Sequence, residues 1–211
     1  MGNHASVGNN ELVDDSYLEM SSAFTAYMDN NGDNWFINSV ELLDPNKPIL
    51  GSNGVIHPVA EILKSQTIRE MVDHIDSLNE FSDILDHLLD NSQASAALLL
   101  GAKNITLFAP VNGAISDLLL SGTDISNLSA EQVDKIVKEH ILIGQDSLEK
   151  EDFERFASTN TIVWNLAERG LTFTKTSGVI KVNGTKIKNY DIKCKNGNIH
   201  IIDNALGGWP S

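Results

Sequence analysis

The chain has 211 residues, 29 of them acidic and 15 basic, for a formal net charge of −14. That length supports one full domain and part of another, with a real apolar core, and the acidic balance argues against nucleic-acid binding. Cys194 is the only cysteine, so an intrachain disulfide is excluded, and no apolar run reaches the ~18 residues of a membrane span.

Residues 1–22 are polar, with Leu18 and Met20 among the few apolar anchors, and the opening lacks the basic and apolar regions of a secretory signal. A flexible, polar segment is expected over residues 1–34. Asp29, Asn31 and Asp33 alternate as in a calcium loop, but Gly32 stands fourth and Val40 twelfth, so the stretch reads as a solvated turn. An apolar run follows from Trp35, then a proline-bearing loop from Asp44 to Pro48. Next comes "SNGVIHPVAEIL" (Ser52–Leu63), which "KNGNIHIIDNAL" (Lys195–Leu206) nearly repeats. Asn53, Gly54, Ile56, His57 and Leu63 match Asn196, Gly197, Ile199, His200 and Leu206 at one offset of 143 residues. A fixed offset without gaps is the mark of a repeated structural unit. Pro58 stands where the second copy has Ile201, so the first copy is expected to be an edge or poorly paired strand.

From Lys64 the apolar period becomes helical. Ile68, Met71, Val72, Ile75 and Leu78 form one stripe, and Phe81, Ile84, Leu85, Leu88 and Leu89 the next. His74 and His87 read as surface residues of those helices. A third short helix stops at Gly101. "ITLFAP" is a buried strand cut short by Pro110, and Asn112 is placed to cap the helix that follows. Ser129 and Gln132 have capping-box spacing, and His140 continues the stripe of Val133, Ile136 and Val137. The last third alternates as strands, with Val182-Asn183-Gly184-Thr185 a hairpin signal because Asn-Gly accepts the positive φ of a two-residue turn. Helices first and strands last predict an α+β fold, without the alternation that makes a parallel sheet.

Chemistry is sparse. The sequence has no H-x-x-x-H or C-x-x-C spacing, no G-x-S-x-G and no phosphate-cradling glycine loop, so neither a catalytic residue, a metal nor a cofactor is expected. His140 and His200 read as hydrogen-bonded structural histidines. Cys194 reads as a small buried apolar residue, and Asp203 as an acid bonding a nearby turn amide. Asn104, Asn127 and Asn183 head N-x-[ST] sequons and are candidate glycosylation acceptors, with Asn127 in its polar loop the first choice.

Three ordered segments carry a family resemblance. "ITLFAPVNGAI" is similar to the first signature of fasciclin domains through Phe108, Ala109, Pro110, Asn112 and Ala114. "NGNIHIIDNAL" resembles the second through Asn196, Gly197, His200 and Asp203. "KEHILIG" resembles the middle segment, with Glu139 where a tyrosine is usual and His140 kept. The resemblance covers about residues 64–207. It implies a wedge or β-sandwich of mostly antiparallel strands with helices packed on it. Residues 35–63 would be the end of a preceding repeat, and 208–211 a tail. It further implies a non-catalytic adhesion or protein-binding module, extracellular, at the cell surface or in a secretory or vacuolar lumen. Partners would be a cell-surface or matrix protein, a glycan or another fasciclin domain, with no direct membrane insertion. Glu139, His140 and Ile141 mark the segment linked to receptor binding. The alternatives are a structural spacer of an array, or a small-ligand-binding domain or enzyme.

Overall fold

The computed structural model describes residues 16–20, 23–52, 54–119 and 124–207. Residues 1–15 of the expected flexible segment, Asn53 of the first repeated motif and the tail 208–211 lie outside them. Where the sequence suggests a loose segment, strands β1 (Ser16–Glu19) and β2 (Thr25–Asn30) join β3 (Trp35–Ile37) and β4 (Val40–Glu41) in a four-stranded antiparallel sheet. Long-range contacts correct that expectation. Ala26, Tyr27 and Met28 are fully buried, and Thr25 Oγ1 accepts from Lys193 N at 2.8 Å. The calcium-like turn closes on itself, since Asn30 Oδ1 accepts from Gly32 N and Asn31 Oδ1 from Asn34 N. A separate two-stranded hairpin follows, β5 (Ile49–Gly51) and β6 (Gly54–Ile56).

Helices come next. A capping box between Thr67 and Glu70 starts α1 (Ile68–His74), and a single 3₁₀ turn (Asp76–Leu78) leads into α2 (Asn79–Asn91). Arg69 ties the two together through Asp73 and Asp86. Beyond α3 (Gln93–Gly101) the chain forms β7 (Ile105–Pro110), α4 (Asn112–Leu118), α5 (Ala130–Glu139), β8 (Ile141–Ile143), α6 (Lys150–Thr159), β9 (Val163–Trp164), β10 (Gly170–Leu171), β11 (Phe173–Thr176), β12 (Val179–Val182), β13 (Thr185–Cys194) and β14 (Gly197–Ile202). Six of these strands make the main sheet, in the order β11-β12-β13-β14-β7-β8.

The pairing is antiparallel except between the fourth and fifth strands, where β14 and β7 run parallel. The sequence hides this pair because no single crossover helix joins the two strands; everything from α4 to β13 lies between them. Every residue of β14 is buried. Ile199 and Ile201 join Ile105, Leu107 and Ala109 beneath the stripes of α1, α2 and α5. On the other face Ile202 joins Phe108, Phe153, Phe156 and Phe173, with α6 as cover.

Three local expectations change. Asn112 does not cap its own helix, which Val111 precedes as N-cap; its Oδ1 accepts from Glu80 N at 3.1 Å and its Nδ2 donates to Asp76 O, so it serves the start of α2. His74 and His87 are half-buried, bonded to Ser39 Oγ and Leu128 O. Asp203 pairs with Lys188 Nζ at 3.2 Å in place of a turn amide. Cys194 is buried as expected, and burial pushes its thiol pKa up. A water-soluble disulfide reagent should therefore label it far more slowly in the folded chain than in urea; equal rates would contradict the packing.

The pairing register occurs twice. Adding 145 converts Leu18↔Ala26 into Val163↔Leu171, Met28↔Ile37 into Phe173↔Val182, and Ile37↔Val40 into Val182↔Thr185. Turn chemistry follows suit. Asn38 Oδ1 accepts from Tyr27 N and Asn183 Oδ1 from Thr172 N, each at 2.8 Å, and both asparagines have positive φ. Adding 143 converts Ile49↔Ile56 and Gly51↔Gly54 into Ile192↔Ile199 and Cys194↔Gly197. The correspondence thus begins at β1, upstream of the Trp35 boundary suggested by sequence.

Candidate functional site

The capping box of Ser129 and Gln132 starts α5, and its apolar face (Val133, Ile136, Val137) seats it on the core. The helix ends at His140 and β8 begins at once, so Glu139, His140 and Ile141 lie at a sharp junction where all three are buried. Both His140 ring nitrogens are used. Nδ1 donates to Ile136 O at 2.7 Å, and Nε2 accepts from Leu206 N at 2.8 Å. This is one neutral tautomer with both ends satisfied.

Glu139 fastens what lies above it. Asn165 Nδ2 donates to Glu139 O at 2.8 Å and to its Oε2 at 3.3 Å. Arg169 Nε stands 2.8 Å from Oε1, a charge contact whose angle falls short of a hydrogen bond. Leu166 N donates to Ile141 O and Ala167 N to Lys138 O, so the tip of the β9–β10 hairpin is docked along residues 138–141. Gly207 closes the other side at φ +82; a Cβ there would sit 2.9 Å from Glu139 Cδ.

The docked hairpin displays an apolar face. Trp164 is 66% exposed and Ile162 51%. The two lie on one side of Gly170, where an added Cβ would be 2.9 Å from Ile162 Cγ2 and 3.9 Å from the Trp164 ring. The turn of the same hairpin, through Ala167 and Arg169, borders a hollow of about 370 Å³ also lined by Glu131, Asp134, Lys135, Lys138 and Glu139. An exposed tryptophan is of the type enriched at protein interfaces, whereas the Lys, Glu and Asp side chains of the hollow are of the types found at an interface rim.

A family model described as Fasciclin domain matches residues 79–207. The chain belongs to the fasciclin domain family. Protein sll1483 of Synechocystis sp. is 35% identical over 104 residues, 48% of this chain; the chain spans about half (53%) of that relative's length. The FAS1 domain pair from the insect cell adhesion molecule fasciclin I superposes with a TM-score of 0.62, covering 91% of this chain and 71% of that one. At 15% identity that likeness is one of fold.

The fasciclin signature residues sit in the frame. Phe108, Ala109 and Pro110 are buried in β7. Asn196 Oδ1 accepts from Ile68 N at 2.8 Å, anchoring α1 to the sheet as Asn112 anchors α2. His200 repeats the logic of His140. Its Nε2 donates to Leu148 O at 3.0 Å, its Nδ1 accepts from Asp191 N at 3.2 Å, and the Phe153 ring packs against it at 4.7 Å. Of the sequons, Asn104 donates to Gln145 O and Asn183 is engaged by Thr172, while Asn127 is exposed at the end of a 3₁₀ turn. Sequence reasoning missed Trp164, Asn165 and Arg169; the one available signal was a tryptophan next to a polar turn.

Burial lowers the pKa of His140 and of His200 from 6.5 to about 4. Protonating His140 would also aim an N–H at that of Leu206. Both folded values lie below the unfolded one, so this stability is fully present above pH 6.5 and is lost as pH falls. The two rings should each give up roughly 3 kcal/mol between pH ~6.5 and ~4. Urea unfolding midpoints measured across that window should drop steeply; a flat profile would contradict neutral, buried rings.

Proposed function

We propose that this fasciclin-family chain is a non-catalytic protein-binding module of the adhesion type, working outside the cell or in a secretory or vacuolar lumen. Its contact face is the β9–β10 hairpin with the adjoining hollow. The observation that carries the reading is Trp164, two-thirds exposed on a hairpin that buried Glu139 and Asn165 hold in place. Exposed aromatic side chains on a rigid support lose little conformational freedom on binding and supply the largest contact energies. In this reading Glu139, His140 and Ile141 act from behind the surface, as the dock of the binding element. Support for a role without catalysis comes from His140 and His200, whose ring nitrogens are all committed to backbone partners. Residues 16–63, which reproduce the register of β9–β14, are read as the strand portion of a preceding repeat.

The test is attachment. Cells from the source organism should adhere to the immobilised chain saturably and be competed by soluble chain. Absence of attachment by protein with folded far-UV circular dichroism would overturn the adhesion reading in favour of a spacer.

A further inference from the structure

The two copies of the strand register have unequal surroundings. In the C-terminal copy, β14 pairs with β13 on one edge and takes β7 in parallel on the other, Asn198 facing Thr106 and Ile199 facing Leu107. In the N-terminal copy, β6 pairs with β5 alone; no described strand lies on its other edge. Side chains register the difference. Ile192 and Ile199 are 2% and 0% exposed, whereas their counterparts Ile49 and Ile56 are 56% and 58% exposed, and Leu50 beside them 75%. This is a core-type surface without its cover, flanking an open strand edge. Such edges accept an added strand, backbone bonds giving affinity and apolar pockets selectivity.

We propose that the free edge of β6 is a strand-addition site for a polypeptide segment of the β7 type, extended and apolar on both faces, entering parallel to β6. Two of its residues face Val55 and Ile56 as Thr106 and Leu107 face Asn198 and Ile199. Pro58 stands where Ile201 continues β14, but its carbonyl accepts from Leu43 N at 2.8 Å, so its missing N–H lies on the paired side. Within β6 the open edge is offered by the N–H and C=O of Val55, and the added ladder is short. The internal pairing favours this occupant over a second copy of the chain, whose own β7 is already engaged on both edges by β14 and β8. The inference rests on the repeated register and is independent of the hairpin that displays Trp164.

The probe is a labelled peptide with the sequence of Lys103–Val111, titrated into the full chain. Fluorescence anisotropy should show saturable binding, and hydrogen exchange at the Val55 amide, which faces the open edge, should slow on addition. Ile56→Lys, at an exposed position that leaves folding intact by circular dichroism, should weaken binding at least tenfold. A peptide carrying proline at the position of Leu107 should not bind. Three results would overturn the proposal: no saturation at millimolar peptide, binding indifferent to Ile56→Lys, or self-association of the chain through residues 54–56, which would make a second copy the occupant.

Discussion

Gly197→Ala should destabilise the chain by about 3 kcal/mol or more, while Gly54→Ala, its counterpart 143 residues earlier, should shift stability by less than about 0.5 kcal/mol. A Cβ built on Gly197 lies 2.0 Å from Ile105 O and 2.7 Å from Ile105 C. Those are backbone atoms of the neighbouring parallel strand inside the sheet, so relief requires β14 and β7 to separate where all their residues are buried. No rotamer change removes such a clash. At Gly54 the same added carbon meets nothing within 4 Å. Both changes add one methyl group to the same N-G motif, so propensity and unfolded-state effects largely cancel between them. Urea denaturation of the two variants measures the difference. Equal midpoints would mean that the β14–β7 contact is not close enough to demand a glycine.

His140→Phe should cost roughly 1–3 kcal/mol at pH 7, and His140→Ala roughly 2–4. The phenyl ring keeps the volume and the contact with Phe81, whose centroid lies 5.6 Å from that of the imidazole. It leaves the buried Leu206 N–H without an acceptor and Ile136 O without the ring's donor. An unmet buried donor costs more than the net value of the bond it formed. Alanine adds a cavity to that loss. The cost should also depend on pH in a definite sense. The wild-type ring loses its stabilising contribution below pH ~6.5 and phenylalanine has none to lose, so the gap should narrow towards pH 4. A loss below ~0.5 kcal/mol at pH 7, or a gap that widens on acidification, would contradict the assigned bonds.

Much of the domain was legible because local rules agree with the fold. The stripes of α1 and α2, the Ser129–Gln132 box, the Asn183-Gly184 turn and the buried β7 all depend on neighbours within a few residues. What escaped depends on distance along the chain. "TAYMDN" sits among polar residues, and its burial comes from contacts such as Thr25 with Lys193. Asn112 looks like the cap of the helix it opens, yet its amide serves Glu80 and Asp76 on another. Glu139, a charge at the end of an amphipathic helix, reads as surface until the β9–β10 hairpin covers it. For the same reason the burial of Glu139, His140 and Ile141, which the resemblance marks for binding, was not legible, nor was the exposure of Trp164 one hairpin away. That His140 and His200 are hydrogen-bonded was legible, but their tautomers were not, since Leu206 and Leu148 reach them from remote segments.

On the proposed function, this fasciclin domain binds through the hairpin that Glu139 holds in place. The most direct test is to compare attachment of source cells to the immobilised wild-type chain, Trp164→Ala, and an exposed control on β12, Lys181→Ala. Fewer cells should attach to immobilised Trp164→Ala, and as soluble competitor against the wild-type surface it should be needed at a concentration about tenfold or more higher, as expected for truncating an aromatic anchor, with unfolding midpoints unchanged and the Lys181 control equal to wild type. Undiminished attachment by a folded Trp164→Ala chain would contradict the account and move the contact face elsewhere on the domain.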